Sequence, residues 1–527
     1  MKRYPDPSSS SSSPSSPPSL FSSSNSDKRH HHYPPGPSSR LPSKLLRQFI
    51  NDPLAMLMKI ADTYGDISHF KFGRQHVYLV NNPQYIENIL VRDQKNFIKS
   101  RGLQVSKRIL GEGLVTSEGE YHDKQRRIIQ PAFHPNRIEN YGHIMVDYAE
   151  RISDRWQDKI VIDIHSEMMH ITSAIIAKSV LGSNIVDVES QKVNNALLTS
   201  MEYINRILMP FGDLIEKIPL LPINKDFRSA KKTLDSIVYR MIEEHRDNNN
   251  NNNARMEKKP KGDRKNDSSS GNNYKNMNSH HYNHDLLYTL IEAQDQEAGI
   301  KKMSDVQLRD EVMTIFLAGH ETTANALTWT FYLLSQYPDV ERRMYEELCS
   351  VLGNKNNDNN NHDLNQSEEC TDTLRLPTIE DISKLEYTEK VFRESMRLYP
   401  PAWTLGRQAL TDYVIDKYVI PSGSIIIMSQ YVMHHNPRYF SNPEVFDPDR
   451  WTKEFKSDLP RFSYFPFGGG IRGCIGEPFA WMEGVLVVAT IYRKWKMHHD
   501  PKHKVGLKPL ITLRPKYGMR MKLERRR

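Results

Sequence analysis

A long helical pattern dominates the middle of the sequence. The stretch MSDVQLRDEVMTIFLAGHETTANALTWTFYLLSQY, from Met303 to Tyr337, repeats apolar residues at helical spacing for about thirty residues. Ser304 followed by Asp305 is a typical helix start, and Pro338 ends the run. Because most helices of globular proteins are much shorter, we expect this one to cross a whole domain.

Strand patterns are few and lie towards the two ends of the chain. ISHFKFGRQHVYLVNNP near the start and VIDKYVIPSGSIIIMSQ near the end each predict a β-hairpin. The sequence contains neither an internal repeat nor the alternation of strands and helices that is typical of parallel sheets. It therefore predicts a mainly α protein with small β-sheets, folded as a single domain.

Three polar tracts interrupt or precede that domain. Residues 1–40 are rich in Ser and Pro, whereas residues 247–284 and 354–373 are rich in Asn, Ser, Lys and Asp. Such compositions bury too little apolar surface to offset the entropy lost on ordering. We expect a disordered leader at 1–40 and two low-complexity loop inserts within a folded domain at 41–527.

Charge and hydropathy narrow the class of protein further. The 527 residues carry a formal net charge of +8, a modest basic balance that suits an acidic protein partner or an anionic surface. No apolar run has the length of a membrane span, and the N-terminus lacks the hydrophobic region of a secretory signal. We expect a cytoplasmic protein, leave peripheral membrane contact open, and find no nucleic-acid-binding motif.

The cysteines and one histidine bear on metal binding. The chain contains three cysteines: Cys349, Cys370 and Cys474. They are too few and too scattered for a disulfide framework, and none forms the C-x-x-C pair of a multi-thiolate zinc site. FLAGHETTANAL, Phe316–Leu327, begins like a zinc-protease helix at His320. A zinc helix needs a second histidine one turn later, and that position is Ala324, so zinc is excluded there.

Cys474 lies in an unusual loop. The stretch FPFGGGIRGCIGEPFAWMEG, Phe465 to Gly484, surrounds it with glycines, whose lack of a Cβ atom lets the backbone approach a flat group. Backbone N–H groups there can point at the sulfur, and Arg472 supplies a cation two residues earlier. A helix starting near Glu477 adds its positive end. Each feature stabilises an anionic sulfur, so the sequence describes one isolated thiolate on a rigid loop.

The full pattern F-x-x-G-x-R-x-C-x-G resembles the haem-binding loop of the cytochrome P450 family. Its residues here are Phe467, Gly470, Arg472, Cys474 and Gly476. The resemblance implies haem b, iron protoporphyrin IX, with Cys474 as the axial ligand of the iron. Phe467 would pack near the sulfur, Gly476 would belong to the cofactor site, and Arg472 would pair with a haem propionate. It also implies the single-domain cytochrome P450 fold, whose long central helix crosses the haem.

Another motif pair of that family occurs upstream in the expected order. FRESMRLYPP carries Glu394 and Arg397 on one helix face, and VFDPDRW brings Arg450. By the resemblance, these three residues form a buried network that braces the haem side of the core. We therefore assign them a structural role rather than a catalytic one.

Two basic segments are similar to the family's propionate-binding segments. EYHDKQRRIIQPAFHP has His122 four residues before Arg126, at the place where the family commonly has Trp. PPAWTLGRQAL brings Arg407. The resemblance implies that His122, Arg126 and Arg407 contact the haem propionates.

The polar residues of FLAGHETTANAL match the family's oxygen-activation motif. By that resemblance, Ala318 and Gly319 leave room against the haem face. Thr322 would hydrogen-bond iron-bound dioxygen or a nearby water, and Glu321 would relay protons as a buried carboxyl with a raised pKa. In a structural alternative, the Thr322 hydroxyl bonds back to a helix carbonyl. Both interpretations stay open, because a local kink there would also open an oxygen pocket.

The resemblance spans Pro34 to Arg527 and implies a haem-thiolate monooxygenase. Such an enzyme inserts one oxygen atom from O2 into an apolar organic substrate, for example a lipid, a terpenoid or a steroid-like compound. The chain has no flavin, nicotinamide or iron–sulfur signature, so a separate electron donor of the ferredoxin, flavodoxin or reductase type is expected. The candidate substrate contacts by family position are Met209, Phe211, Trp403 and Leu405.

Alternative functions remain at this point. A member of the same family could isomerise or dehydrate an oxygenated lipid without external electrons, or could use peroxide. The acid and hydroxyl of Glu321 and Thr322 argue against the isomerase or dehydratase. The alternative from another class is a haem-binding sensor or carrier without turnover.

Overall fold

The computed structural model describes residues 33–37, 42–182, 187–208, 212–257, 286–292, 303–353 and 374–526. Most of the predicted leader, the predicted insert at 354–373 and the later part of the insert at 247–284 lie outside these ranges. The described residues are mainly helical with small sheets, which confirms the predicted class.

The helices are α1 Pro42–Asn51, α2 Pro53–Tyr64, α3 Pro83–Glu87, α4 Arg101–Val105, α5 Lys107–Leu110, α6 Gly119–Ile129, α7 Pro135–Ile138, α8 Gly142–Ser153, α9 Ile164–Leu181, α10 Asp187–Leu208, α11 Gly212–Glu216, α12 Pro222–Glu257, α13 Leu286–Glu292, α14 Asp305–Gln336, α15 Pro338–Leu352, α16 Glu386–Leu398, α17 Gln430–His434, α18 Lys453–Asp458 and α19 Glu477–Tyr492. The strands are β1 Ile67–Phe72, β2 Gln75–Val80, β3 Phe97–Lys99, β4 Val161–Asp163, β5 Leu405–Ala409, β6 Tyr413–Ile415, β7 Tyr418–Ile420, β8 Ile425–Met428, β9 Trp495–His499, β10 Leu507–Pro509, β11 Leu513–Pro515 and β12 Arg520–Arg525.

Helix α14 is the predicted long helix, and it is central. The Ser304 side chain accepts a hydrogen bond from the Gln307 N–H at 3.3 Å, while the Gln307 side chain accepts one from the Ser304 N–H at 2.9 Å. This reciprocal cap satisfies two N–H groups that a helix start leaves unpaired. Helices α9, α16 and α19 pack against α14, and most of its residues are buried. The predicted start and end are both confirmed.

The five-stranded sheet has the order β1-β2-β8-β5-β3. Strands β1 and β2 form the first predicted hairpin. The second prediction was partly wrong: β6 pairs with β7, but β8 lies between β2 and β5. Apolar side chains cover both faces of β8, because Ile426 and Met428 join one buried cluster while Ile425 and Ile427 pack against another. A strand that is apolar on both faces suits the interior of a larger sheet.

Helix α12 extends further than the sequence predicted. It continues from Asp247 to Glu257, within the predicted insert at 247–284. Once a helix has formed, each added residue gains a hydrogen bond without a new nucleation cost. A polar tract can therefore prolong a helix that it would not start.

A three-stranded sheet joins distant parts of the chain. Strand β12 lies between β4 and β9, and Asp163 of β4 pairs with Arg520 of β12. Within the described ranges, no helix has the length and apolarity needed to cross a membrane. Cys349 of α15 is disulfide-bonded, although the three cysteines are too few for a disulfide framework.

Candidate functional site

The loop before α19 has a backbone that only glycine can adopt at one position. Gly470 has φ +68°, and a Cβ atom there would lie 1.9 Å from the Leu90 carbonyl oxygen. Any other residue would therefore push the loop away from its neighbour. The Cys474 N–H donates to the Phe467 carbonyl oxygen at 3.0 Å, which closes the loop around the sulfur. Leu405 of β5 reaches to 3.5 Å from the Cβ position of Gly468.

The Cys474 thiol is accessible and yet surrounded by protein. Its side chain is exposed, but burial raises the pKa of the thiol to about 11. The N–H groups of Gly476 and Glu477 and the charge of Arg126 act in the opposite direction. The sulfur is therefore exposed although protein atoms surround it. At neutral pH this thiol alone would be a poor nucleophile, whereas a coordinated metal ion deprotonates a thiol outright.

One face of α14 also borders internal space. Ala318 is exposed and Thr322 is half-buried, although most residues of the helix around them are buried. Thr323, on the adjacent side of α14, shares a hydrogen bond with the Glu483 carboxyl of α19. Because α19 begins three residues after Cys474, this contact brings the open face of α14 and the Cys474 loop to the same region of the core.

The motif residues on α14 point in different directions. The Thr322 Oγ1 donates to the Ala318 carbonyl oxygen at 2.6 Å, as in the structural alternative. Glu321 is buried, its Oε1 accepts a hydrogen bond from Thr512 at 2.6 Å, and burial raises its pKa. A Cβ atom on Gly319 would lie 2.8 Å from Ile176 of α9, so this glycine permits close helix packing.

Basic side chains converge beside the Cys474 loop. We call Lys99, His122, Arg407 and Arg472 the basic group. The Glu118 carboxylate joins two of them: it accepts from Arg472 Nη2 at 2.7 Å and from the Lys99 backbone N–H at 2.5 Å. Lys99 of β3 lies directly opposite Arg407 of β5 in the sheet register, which brings these two cations together.

The basic group holds more positive charge than Glu118 neutralises. Burial lowers the pKa of Lys99 to about 7, and Arg472 and Arg407 add repulsion. Burial followed by repulsion from Arg472 lowers the pKa of Arg407 to about 10. The buried Arg472 Nε has no hydrogen-bond partner among the described residues. Unpaired donors and surplus charge fit a ligand that carries carboxylates, as the propionates of haem do.

Arg126 and Phe467 belong to the Cys474 loop instead. Arg126 Nη1 donates to the Gly473 carbonyl oxygen at 2.7 Å. The Phe467 ring centroid lies 5.9 Å from that of Trp481 in α19. His122 is buried, and its Nδ1 lies 3.1 Å from Asp123 Oδ1. The predicted cofactor residues thus come together from four separate segments.

The three residues with a predicted structural role form a closed network. Glu394, Arg397, Arg450 and Trp451 are buried, and we call them the Glu394 network. Both Glu394 oxygens accept from Arg397 at 2.9 Å, and single bonds at 2.9 Å come from Arg450 Nε and Trp451 Nε1. The remaining Arg397 N–H groups donate to the backbone carbonyls of His434, Pro443 and Val445.

Two of the four candidate substrate contacts are described by the structure. Trp403 is buried, and its Nε1 donates to the Leu510 carbonyl oxygen at 2.8 Å. Leu405 is half-buried beside Gly468. Met209 and Phe211 lie outside the described residues.

Sequence reasoning missed Lys99, Glu118, Glu483 and Thr512. Each is a common residue type without a spacing pattern, and its partners lie far away in the chain. Lys99 had one available signal: a lysine in a short strand is unusual unless it lies at an edge or next to a charge.

Comparison with known proteins agrees with this arrangement. The family model described as "Cytochrome P450" matches residues 34–521. "Cyclooctatin synthase" from Streptomyces melanosporofaciens is 32% identical, over 88% of this chain and 89% of the relative. "Cyclooctat-9-en-7-ol 5-monooxygenase" from the same organism is 30% identical, over 85% and 86%.

A solved structure supports the fold. The crystal structure of the haem domain of cytochrome P450DA superposes with a TM-score of 0.75 at 21% identity, covering 94% of this chain and 98% of that one. Together with the family match over most of the sequence, this similarity accounts for both the long central helix and the glycine-framed cysteine. The chain belongs to the cytochrome P450 family and is an oxidoreductase of the monooxygenase class.

Proposed function

We propose that Cys474 is the axial ligand of the iron of haem b. One observation carries this proposal: the exposed sulfur, which protein atoms surround, receives two backbone N–H groups and the charge of Arg126. Each of these interactions stabilises a thiolate and contributes little to the stability of a neutral thiol. When bound, a haem with a thiolate ligand supplies the activation of dioxygen and its insertion into an organic substrate.

The basic group would hold the haem propionates. Arg472 and Arg407 offer guanidinium N–H groups, and Lys99 adds a cation from the neighbouring strand. Bonds between such donors and carboxylates are among the stronger hydrogen bonds in proteins. His122, at the place where the family commonly has Trp, would complete this side, while Arg126 would brace the Cys474 loop.

Two residues of α14 would serve proton delivery. Glu321 is buried, and burial raises its pKa, which favours the protonated carboxyl. Thr322 lies on the half-buried face next to Ala318, where its hydroxyl can exchange the bond to the Ala318 carbonyl for one to a ligand in the cavity. We propose that Glu321 holds the proton and that the Thr322 hydroxyl directs it.

The substrate is proposed to be an apolar cyclic compound of the terpenoid type. A relative over most of the chain has a name that describes a monooxygenase acting on a cyclic alkenol. Leu405 offers an apolar surface near the Cys474 loop, and the buried Trp403 lies two residues before it in the chain. The electrons would come from a separate donor protein, and the domain at 41–527 would act as the haem domain.

Replacing the sulfur tests the proposed ligand. In Cys474→Ser we expect the red-shifted Soret band of the reduced, carbon monoxide-bound protein to disappear together with activity, because an alcohol is a far weaker ligand than a thiolate. The measurement is the reduced difference spectrum with carbon monoxide. Ser457→Ala, on the exposed helix α18, is the control and should keep the band. An unchanged band in Cys474→Ser would contradict the assignment.

Removing the hydroxyl of α14 tests the proposed proton path. In Thr322→Ala we expect haem binding to persist while electron consumption separates from product formation, because a proton-directing hydroxyl is lost. The ratio of product to consumed reductant measures this coupling. Thr328→Ala is a matched control, since Thr328 makes the same back-bond, to Ala324, at a fully buried position. Equal coupling in both variants would assign Thr322 a structural role.

A further inference from the structure

Glu321 and Thr322 are adjacent in sequence but face different parts of the protein. Successive residues of an α-helix are about 100° apart around its axis. Thr322 is half-buried on the open face of α14, whereas Glu321 is only 2% exposed and turns towards the connection between β10 and β11. The position of the Glu321 carboxyl is therefore set by a contact outside α14.

That contact is a directed hydrogen bond from Thr512. Asn325 Nδ2 donates to Thr512 Oγ1 at 3.3 Å, and Thr512 Oγ1 donates to Glu321 Oε1 at 2.6 Å. A hydroxyl carries one proton, so a hydroxyl that accepts from an amide has its proton free for the carboxyl. All three side chains are more than nine-tenths buried. Water does not compete for this chain of bonds.

One charged side chain acts on the same carboxyl. Arg514 of β11, two residues after Thr512, favours the ionised form of Glu321. The same arginine lowers the pKa of His320 in α14 and of His165 in α9, for both of which burial is the larger cause. Both histidines are therefore neutral near pH 7, and Arg514 and Thr512 are the groups that favour an anionic Glu321 against its burial.

The connection between β10 and β11 is also attached to a candidate substrate contact. Trp403 Nε1 donates to the Leu510 carbonyl oxygen at 2.8 Å, and the Leu513 N–H donates to the Pro401 carbonyl oxygen at 2.9 Å. Leu510 and Leu513 flank Thr512. Two hydrogen bonds therefore join the Trp403 segment to the residues on either side of Thr512.

We propose that Thr512 is a positioning residue for Glu321. We also propose that the segment Leu510–Leu513 links the segment Pro401–Leu405, whose Leu405 lies beside the Cys474 loop, to the hydrogen bonding of this carboxyl. The inference rests on the proposed proton-holding role of Glu321 and adds the group that controls it. Filling the substrate side alters the Thr512–Glu321 bond, so the carboxyl responds to occupancy before any proton moves.

Infrared spectroscopy of the holoenzyme can test this link. The carbonyl stretch of a buried protonated carboxyl is resolved from other bands, and Glu321→Gln assigns it. In Thr512→Val we expect the pKa of Glu321 to rise by about one to two, because a donor to the ionised form is removed. Thr512→Ser should restore the wild-type value. The probe 4-phenylimidazole should shift the band in wild type and leave it unmoved in Thr512→Val.

Two outcomes would overturn the proposal. In one, the carboxyl band and the pKa of Glu321 are the same in Thr512→Val as in wild type. In the other, 4-phenylimidazole shifts the band equally in Thr512→Val and in wild type. If Thr512→Val does not fold, Trp403→Phe provides a second test of the proposal. It should abolish the response to the probe while leaving the band of the probe-free enzyme in place. Normal coupling in Glu321→Gln, found together with a Thr512-dependent carboxyl band in the enzyme that keeps Glu321, would contradict the proton role of Glu321 and leave the positioning by Thr512 standing.

Discussion

The molecule buries two groups of charged side chains that differ in how well they are neutralised. In the Glu394 network, one carboxylate meets two arginines and an indole, and backbone carbonyls accept the Arg397 N–H groups left over. In the basic group, Glu118 faces Lys99, Arg407 and Arg472, and Arg472 Nε keeps no partner among the described residues. One group is complete within the chain, and the other is not.

This difference separates a structural role from a ligand-binding role. A buried charge is costly unless opposite charge and hydrogen bonds compensate it. The Glu394 network meets that condition by itself and so contributes to holding α16 against the segment that carries Arg450. In the basic group, the Lys99 ammonium donates to the carbonyls of Leu114 and Ser117, and we propose that an anionic ligand compensates the remaining charge. Three experiments test this difference between the two groups.

The largest effect is expected from breaking the complete group. Glu394→Gln leaves Arg397 and Arg450 buried without a counter-charge, which should lower the free energy of unfolding by about 3–5 kcal/mol. Urea unfolding with and without haem should give similar losses, because the network needs no ligand. Glu346→Gln, which breaks an exposed pair with Arg342, is the control and should cost less than about 1 kcal/mol.

An intermediate effect is expected from the incomplete group. Arg472→Gln removes a surplus cation, so the haem-free protein should change by less than about 1 kcal/mol, while haem affinity falls roughly ten- to hundredfold. Haem titration and urea unfolding of the haem-free protein measure the two quantities. The control is Arg461→Gln, an exposed arginine paired with Glu87. A large loss of stability with unchanged haem affinity would remove the contrast between the groups.

The smallest effect is a pH dependence. Burial lowers the pKa of Lys99 to about 7. Nearby propionates would raise this pKa again. Above pH 7, haem binding is therefore expected to be coupled to the uptake of a proton by Lys99. This uptake makes the affinity fall as the pH rises. The Cys474 thiol, with a pKa of about 11, releases a proton on ligation and makes the affinity rise. In wild type, the proton uptake by Lys99 and the proton release by Cys474 have opposite effects on haem affinity. Each changes the affinity by up to about tenfold per pH unit.

Lys99→Met isolates the two contributions. Without the proton uptake, haem affinity between pH 7 and 9 should rise with pH more steeply than in wild type. Haem titrations at several pH values measure the two slopes. His122 does not disturb the comparison, because burial lowers its pKa and keeps it neutral in this range. Equal slopes would place Lys99 outside the reach of the propionates.

The sequence predicted those parts of the site whose chemistry demands rare residues at fixed spacing. Cys474 and its glycines could be found because the backbone at Gly470 tolerates no side chain. The long helix could be found because its cap and its terminating proline are local signals. The family resemblance supplied what spacing alone did not, namely the iron and the roles of Arg397 and Arg407.

Contacts between distant segments were not predictable in this way. Lys99 meets Arg407 only because β3 pairs with β5, and Thr512 meets Glu321 only because the β10–β11 segment packs on α14. The apolar run of β8 fits a hairpin and a central strand equally well, and only the rest of the sheet decides between them. A fixed chain order does not specify which of several compatible partners a short strand will take.

The pairing of β4 with β12 has a consequence for biosynthesis. The two strands are roughly 360 residues apart in the chain. At about 5–20 residues per second, a ribosome needs roughly 20–70 s to make the intervening segment. Throughout that interval Asp163 and its neighbours have no strand to pair with, so this sheet closes only late in synthesis. Chaperones that shield the early half of the chain should therefore matter more for the yield of active enzyme than the rate of any later folding step.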